Sequence, residues 1–182
     1  KRQGYVHSDG TEYLFVGNGQ NCDMYKVVTD TSTYDIHSPP PNMAPRTLYC
    51  LDSYNYYADC GFTSGSVNEF ILTEDAVYLG PYHYSSGGQD YAKIYKWNID
   101  WDTLTWTPVG FVVDAKLPQN YHTQTLGYDE EHSTFYTGTA GDRNVLSFQV
   151  GVDTDWQWEF THTDLEGSHH DGLEYVAGKL WI

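Results

Sequence analysis

The chain closes on "SHHDGLEYVAGKLWI", residues 168–182, which sets two histidines, two acids and a glycine within seven residues ahead of a strand-like run. The same heptad stands near the start: "HSDGTEY" at 7–13 matches "HHDGLEY" at 169–175 in five of seven positions. Two weaker copies lie between them, "SGSVNEF" at 64–70 and "HTQTLGY" at 122–128, giving steps of 57, 58 and 47 residues. A second element follows each copy: "LFVG" at Leu14, "VYLG" at Val77, "FYTG" at Phe135 and "LWI" at Leu180. A third reads "DMYKVV" at Asp23, "KIYKWN" at Lys93 and "VLSFQV" at Val145. A fourth reads "TYDIH" at Thr33, "TWTPVG" at Thr105 and "QWEFTH" at Gln157. Each is short, rich in β-branched and aromatic residues, and bounded by Gly, Asn, Asp or Ser, as strands are.

Four strands per unit, repeated every ~40–60 residues, is the pattern of a β-propeller, in which no blade can bury its faces alone and neighbours stack to make the core. The expected fold is all-β, a single propeller domain over 1–182 with blades at about 4–37, 64–113 and 121–163 and a partial blade at 168–182. Three and a half blades do not close a ring, so we expect further sequence or a second chain to complete it. Lys1 in place of Met fits a processed or partial chain.

"DGLEYVAGKLWI" resembles the inner-strand signature of six-bladed propellers of the gluconolactonase and NHL-repeat type, in which Asp-Gly precedes an apolar strand and Gly-x-Leu-Trp opens the next. The resemblance spans residues 171–182, with an echo at 9–16. It implies a propeller, and in the lactonases an Asp of such a segment ligates a divalent metal on the axis; the matching residue is Asp171. The Glu and Asn ligands of that family have no match in this sequence, and the histidines are foreign to its pattern.

The formal net charge of -16 disfavours nucleic acid and anionic membrane surfaces by repulsion. No apolar run is long enough for a membrane-spanning helix. Seventeen tyrosines with only nine Lys and Arg suggest a secreted, periplasmic or cell-surface protein. Of the three cysteines, Cys50 and Cys60 are spaced to close a short loop by a disulfide, which leaves Cys22 over.

Repeat position points to chemistry. The first strand of each propeller blade lines the central channel, so His7, His122 and His169, with Ser64 as the odd member, are expected around the axis. Converging neutral imidazoles suit a transition metal, copper ahead of zinc on general affinity order. Asp171 joins them through the resemblance. Asp9, Glu12 and Glu174 could orient the imidazoles from behind, or with Asp171 take calcium directly. The alternative is structural: a recurring His can bond a neighbouring blade, and Asp-Gly is common turn chemistry.

The same end of the ring should carry two long loops. Residues 38–65, rich in Pro and holding both Cys50 and Cys60, read as a lid. Residues 80–91, "GPYHYSSGGQDY", present His83 between Tyr82 and Tyr84, and Tyr121 lies before His122, as contacts for a flat ligand or a protein. "NIDWDTLTW" at 98–106 lacks the Gly and Glu of a calcium loop and reads as a hairpin. Three functions follow: metal capture or ring-holding by axial histidines, a metal-dependent hydrolase or oxidoreductase, and a glycan- or protein-binding module using Tyr-rich loops.

Overall fold

The computed structural model describes residues 2–18, 21–29, 46–60, 69–118, 122–123, 125–140, 144–161 and 173–181. Among the described residues the fold is all-β apart from one short helix, and the chain divides into two compact units, 1–57 and 58–182.

The first unit is a four-stranded antiparallel sheet in chain order, β1 (Arg2–Val6), β2 (Glu12–Asn18), β3 (Asn21–Thr29) and β4 (Arg46–Asn55). Period-two alternation sends Tyr13, Phe15, Cys22 and Met24 to one face, where all four are buried. The opposite face carries a pocket of about 460 Å³ lined by Gly4, Val6, Leu14, Val27, Leu48 and Glu12, among others. The fourth strand corrects two expectations. It is "RTLYCLDSYN", not "TYDIH", whose residues 33–37 lie outside the described ones. The proposed lid over 38–65 is also a strand followed by helix α1 (Tyr56–Cys60) wherever it is described. Thr, Leu and Tyr in "RTLYC" are strand formers, and that preference outweighs the preceding Pro cluster.

The second unit begins with α1's last residues and continues with three antiparallel arrays. The first is β5 (Glu69–Leu72), β6 (Ala76–Ser86), β7 (Gln89–Asp100) and β8 (Thr105–Lys116), in that order. The second has a split first strand, β9 (His122–Thr123) and β10 (Gly127–Asp129), both paired to β11 (Thr134–Ala140), then β12 (Asn144–Gln149) and β13 (Gln157–Thr161). The third is the hairpin β14 (Glu174–Val176) and β15 (Lys179–Trp181).

Ala76, Tyr78, Ala92, Ile94, Val113 and Ala115 of the first array pack against Leu126, Phe135, Leu146, Phe148 and Trp156 of the second. Three polar contacts tie the same two arrays together. Leu126 N–H donates to Glu69 Oε2 at 2.9 Å, Trp156 N–H to Lys116 O at 2.9 Å, and Trp156 Nε1 to Ala92 O at 3.3 Å. The hairpin β14–β15 then covers the second array through Tyr175, stacked on Tyr136 at 5.6 Å and 11°. The strands assigned from the second and third repeat elements fall where expected, and "NIDWDTLTW" is a hairpin whose Asp100 accepts from Asp102 and Thr103 N–H.

One irregularity controls which way β6 faces. Leu79 pairs Tyr95, but the next pair is Tyr82 with Lys93, so Gly80 and Pro81 together oppose one residue. This bulge reverses the alternation: Ala76 and Tyr78 face the second array, and beyond the bulge His83 and Ser85 do so, while Tyr82 and Tyr84 take the other face. The sequence is suited to it. A Cβ on Gly80 would lie 2.9 Å from Lys93 O and 3.1 Å from Ile94 Cγ1, and Pro81 has no N–H to donate to a ladder.

Phe135→Ala removes a fully buried ring from between two arrays and is expected to lower unfolding free energy by about 3–5 kcal/mol, read from urea denaturation. Glu69→Ala strands a backbone N–H and is expected to cost about 1–3 kcal/mol in the same assay without altering any metal bound.

Candidate functional site

The bulge brings together two histidines that the sequence places in different roles. His83, on β6, and His122, on β9 of the next array, have ring centroids 4.6 Å apart at 49°. Asp90 lies beside them on β7, 7% exposed. Its Oδ1 accepts from Ser85 Oγ and sits 3.5 Å from His83 Nε2. That nitrogen is buried and makes no hydrogen bond among the described residues.

The segment around His83 is not a loop. Residues 80–86 continue β6, and a turn at Gly87–Gly88, both with positive φ, returns the chain as β7. Glycine suits a two-residue hairpin turn for that reason. The turn fixes the register Ser85↔Asp90, Tyr84↔Tyr91 and His83↔Ala92. Asp90 went unnoticed in the sequence, although the Gly-Gly pair set its place opposite Ser85.

The other face of the same hairpin is aromatic. Tyr84 neighbours Tyr82 at 6.5 Å along β6 and Tyr91 at 5.0 Å across to β7, and each ring is inclined 18° to its own. Its hydroxyl donates to Asp114 Oδ1 at 2.8 Å, and Lys93 Nζ pairs with Asp114 Oδ2 at 2.9 Å and stands 4.5 Å over the Tyr84 ring. Burial first, then the Asp114 carboxylate, push the Tyr84 phenol up to about 12.

His7 does not occupy a position like that of His122. "HSDG" is the turn between β1 and β2: Gly10 N–H donates to His7 O at 2.8 Å and Thr11 N–H to Asp9 Oδ1 at 2.7 Å. Gly10 has φ +85°. The Thr11 bonds, and then His7 with its Nδ1 3.1 Å from Asp9 Oδ1, hold the Asp9 carboxyl below its usual value. The element after "HSDG" is also joined differently: "EYLFVG" runs on within β2, whereas in the later arrays a turn separates the two elements. Glu12 lines the pocket of the first unit. Glu174 lies in β14, opposite Trp181. His169, Asp171 and Tyr121 are outside the described residues. At the repeat position of Glu12 and Glu174, Glu69 bonds the next array's backbone, a structural use.

The Cys50–Cys60 disulfide is absent; both thiols are free, as is Cys22. Cys50 is exposed on β4, whose next five residues run extended for about 16 Å. Cys60 is buried in α1, and burial followed by Asp59 raises its thiol well above the ordinary value. Among the described residues no three His, Cys, Asp or Glu side chains come together as a metal-binding group.

A third imidazole–carboxylate pair closes the β10–β11 turn. His132 Nδ1 is 2.7 Å from Asp129 Oδ2, and Asp129 is 4% exposed. Burial opposes ionisation of Asp129, but hydrogen bonds from His132 and Tyr175 outweigh it and lower the carboxyl; His132 is raised by that bond and charge. The spacing Asp-x-x-His was its only sequence signal. No family model matches the sequence, and no curated protein is detectably similar to it.

The pair's signs differ. His132's contribution is full below its unfolded value and lost as pH rises through its raised folded value. Asp129's is full above its unfolded value and lost as pH falls through its lowered one. NMR titration should therefore place the His132 midpoint above about 6.5, and Asp129→Asn should bring it down. Gly80→Ala should clash with Lys93 O, disturb the bulge and abolish His83–His122 ring contacts in NOE spectra.

Proposed function

We infer that the chain is a β-propeller segment that captures a transition metal, copper before zinc, between His83 and His122. The observation that carries this is the paired imidazoles beside a buried carboxylate. Two imidazoles in contact could each supply a nitrogen to one ion, and copper leads zinc for imidazole donors on the general affinity order. Asp90 Oδ1 stands 3.5 Å from His83 Nε2, and closing that gap on metal binding would hold a proton on Nε2 and leave Nδ1 as the donor, as in carboxylate–histidine–metal arrangements. With two protein ligands, the remaining positions are open to solvent or a small ligand.

The propeller reading is supported by antiparallel sheets that follow one another in chain order and, in the second unit, stack face to face. The acidic, tyrosine-rich, lysine-poor composition supports a secreted, periplasmic or cell-surface setting.

Equilibrium dialysis against Cu(II) and Zn(II), with metal counted by mass spectrometry, tests the site. One Cu(II) per chain is expected, lost in His83→Ala and in His122→Ala, weakened about tenfold in Asp90→Asn, and unchanged in His7→Ala. Undiminished copper binding by the double His variant would sink the assignment.

A further inference from the structure

The first unit carries a hollow that metal capture does not use. Register builds its floor. Val6 pairs Glu12, Glu12 pairs Val27 and Val27 pairs Leu48, so these four residues form one rung across β1–β4 on a single face. With Gly4 and Leu14, paired two residues along on the same face, they line the pocket of about 460 Å³. Small-molecule sites commonly enclose ~300–1,000 Å³. Gly4 leaves the space open. A Cβ built there meets no atom within 4 Å, so crowding does not call for glycine at this strand position. A glycine inside a strand gives up packing, and close approach of another group is one use of it. Glu12 is the charged member of the rung, directly between two valines. Apolar neighbours displace water around a carboxylate and strengthen its attraction for a cation.

We propose that this pocket binds a lipophilic ammonium. Its aliphatic or aromatic body rests over Gly4, between Leu14 and the Val6–Val27–Leu48 row, and its ammonium pairs with the Glu12 carboxylate. Val6 and Leu48 are 64% and 49% exposed, so a bound body gains by covering them. Burial alone would favour neutral, anionic and cationic bodies alike; Glu12 selects the cation. The net charge of -16 works in the same direction, drawing cations toward the chain and repelling anions. It also argues against a second copy as the occupant. Self-association through this face would bring together two chains of that charge, each with Glu12 in the contact.

The test uses 4-phenylbutylammonium as the probe, with 4-phenylbutanol and 4-phenylbutyrate as neutral and anionic molecules of the same body. Affinity is read by titration calorimetry and the site by methyl NMR shifts. Saturable shifts are expected at the Val6, Leu14, Val27 and Leu48 methyls. The ammonium should bind about tenfold more tightly than the alcohol, with the butyrate weakest, and Glu12→Gln should remove the advantage of the ammonium over the alcohol. Gly4→Val fills the hollow with a strand-forming side chain. It should abolish binding of the ammonium while amide NMR spectra show the sheet intact. Equal affinities for ammonium and alcohol, undiminished ammonium binding in Glu12→Gln or in Gly4→Val, or no shift at those methyls with millimolar probe would each overturn the proposal. Sedimentation as a dimer with the Val6 and Leu48 methyls closed to the probe would also overturn it and give the face to a second copy.

Discussion

One extra residue in β6 decides what each face of the hairpin does. Without the bulge at Gly80–Pro81, strict alternation from Ala76 and Tyr78 would turn Tyr82 and Tyr84 toward the second array and His83 away from it. With it, the imidazole meets His122 and the phenols stack on the opposite side. The requirement falls on backbone space as much as on side chains, since Lys93 O leaves no room for a Cβ at position 80.

The bulge matters because the two arrays it serves are held rigidly. Their interface is apolar around Ile94, Phe135 and Leu146, each fully buried, and close packing of that kind resists displacement of the strands that carry the histidines. The polar ties across it are charged or directional: a carboxylate on the Leu126 N–H, and Trp156 bonded through both its backbone and its indole. A hydrogen bond to a carboxylate is stronger than a neutral one. Glu69 therefore helps fix the strand on whose outer end His122 sits, although it touches neither imidazole.

The repeat in the sequence revealed most of the strands and mistook one of its own signals. "VYLG" and "KIYKWN" carry β-branched and aromatic side chains that face two buried surfaces, so composition alone marks them. "HSDG" is a turn after the first strand of its sheet, whereas His122 opens the split first strand of its own, so equal letters do not fix which part of a strand order they mark. The absent disulfide has a related cause: the spacing of Cys50 and Cys60 suits a short loop, but the nine residues between them form a strand and a helical turn. The His83–His122 pair was half legible. Both residues stood out, and the Gly-Gly turn fixed the hairpin register, but the parity change at Gly80–Pro81 depends on contacts with β7 that no local pattern carries.

Both faces of the hairpin place a carboxylate from a neighbouring strand position beside a group whose proton matters. Asp90, on β7, stands behind an imidazole; Asp114, on β8, stands behind a phenol. The difference in solvent access sorts their uses. Nearly buried Asp90 cannot readily pass a proton to water, so it suits holding one tautomer of His83. Half-exposed Asp114 pairs with the Lys93 ammonium and accepts from the Tyr84 hydroxyl, so it fixes two side chains of the aromatic face. The same bulge that separates the side chains thus gives each face of a single sheet its own carboxylate.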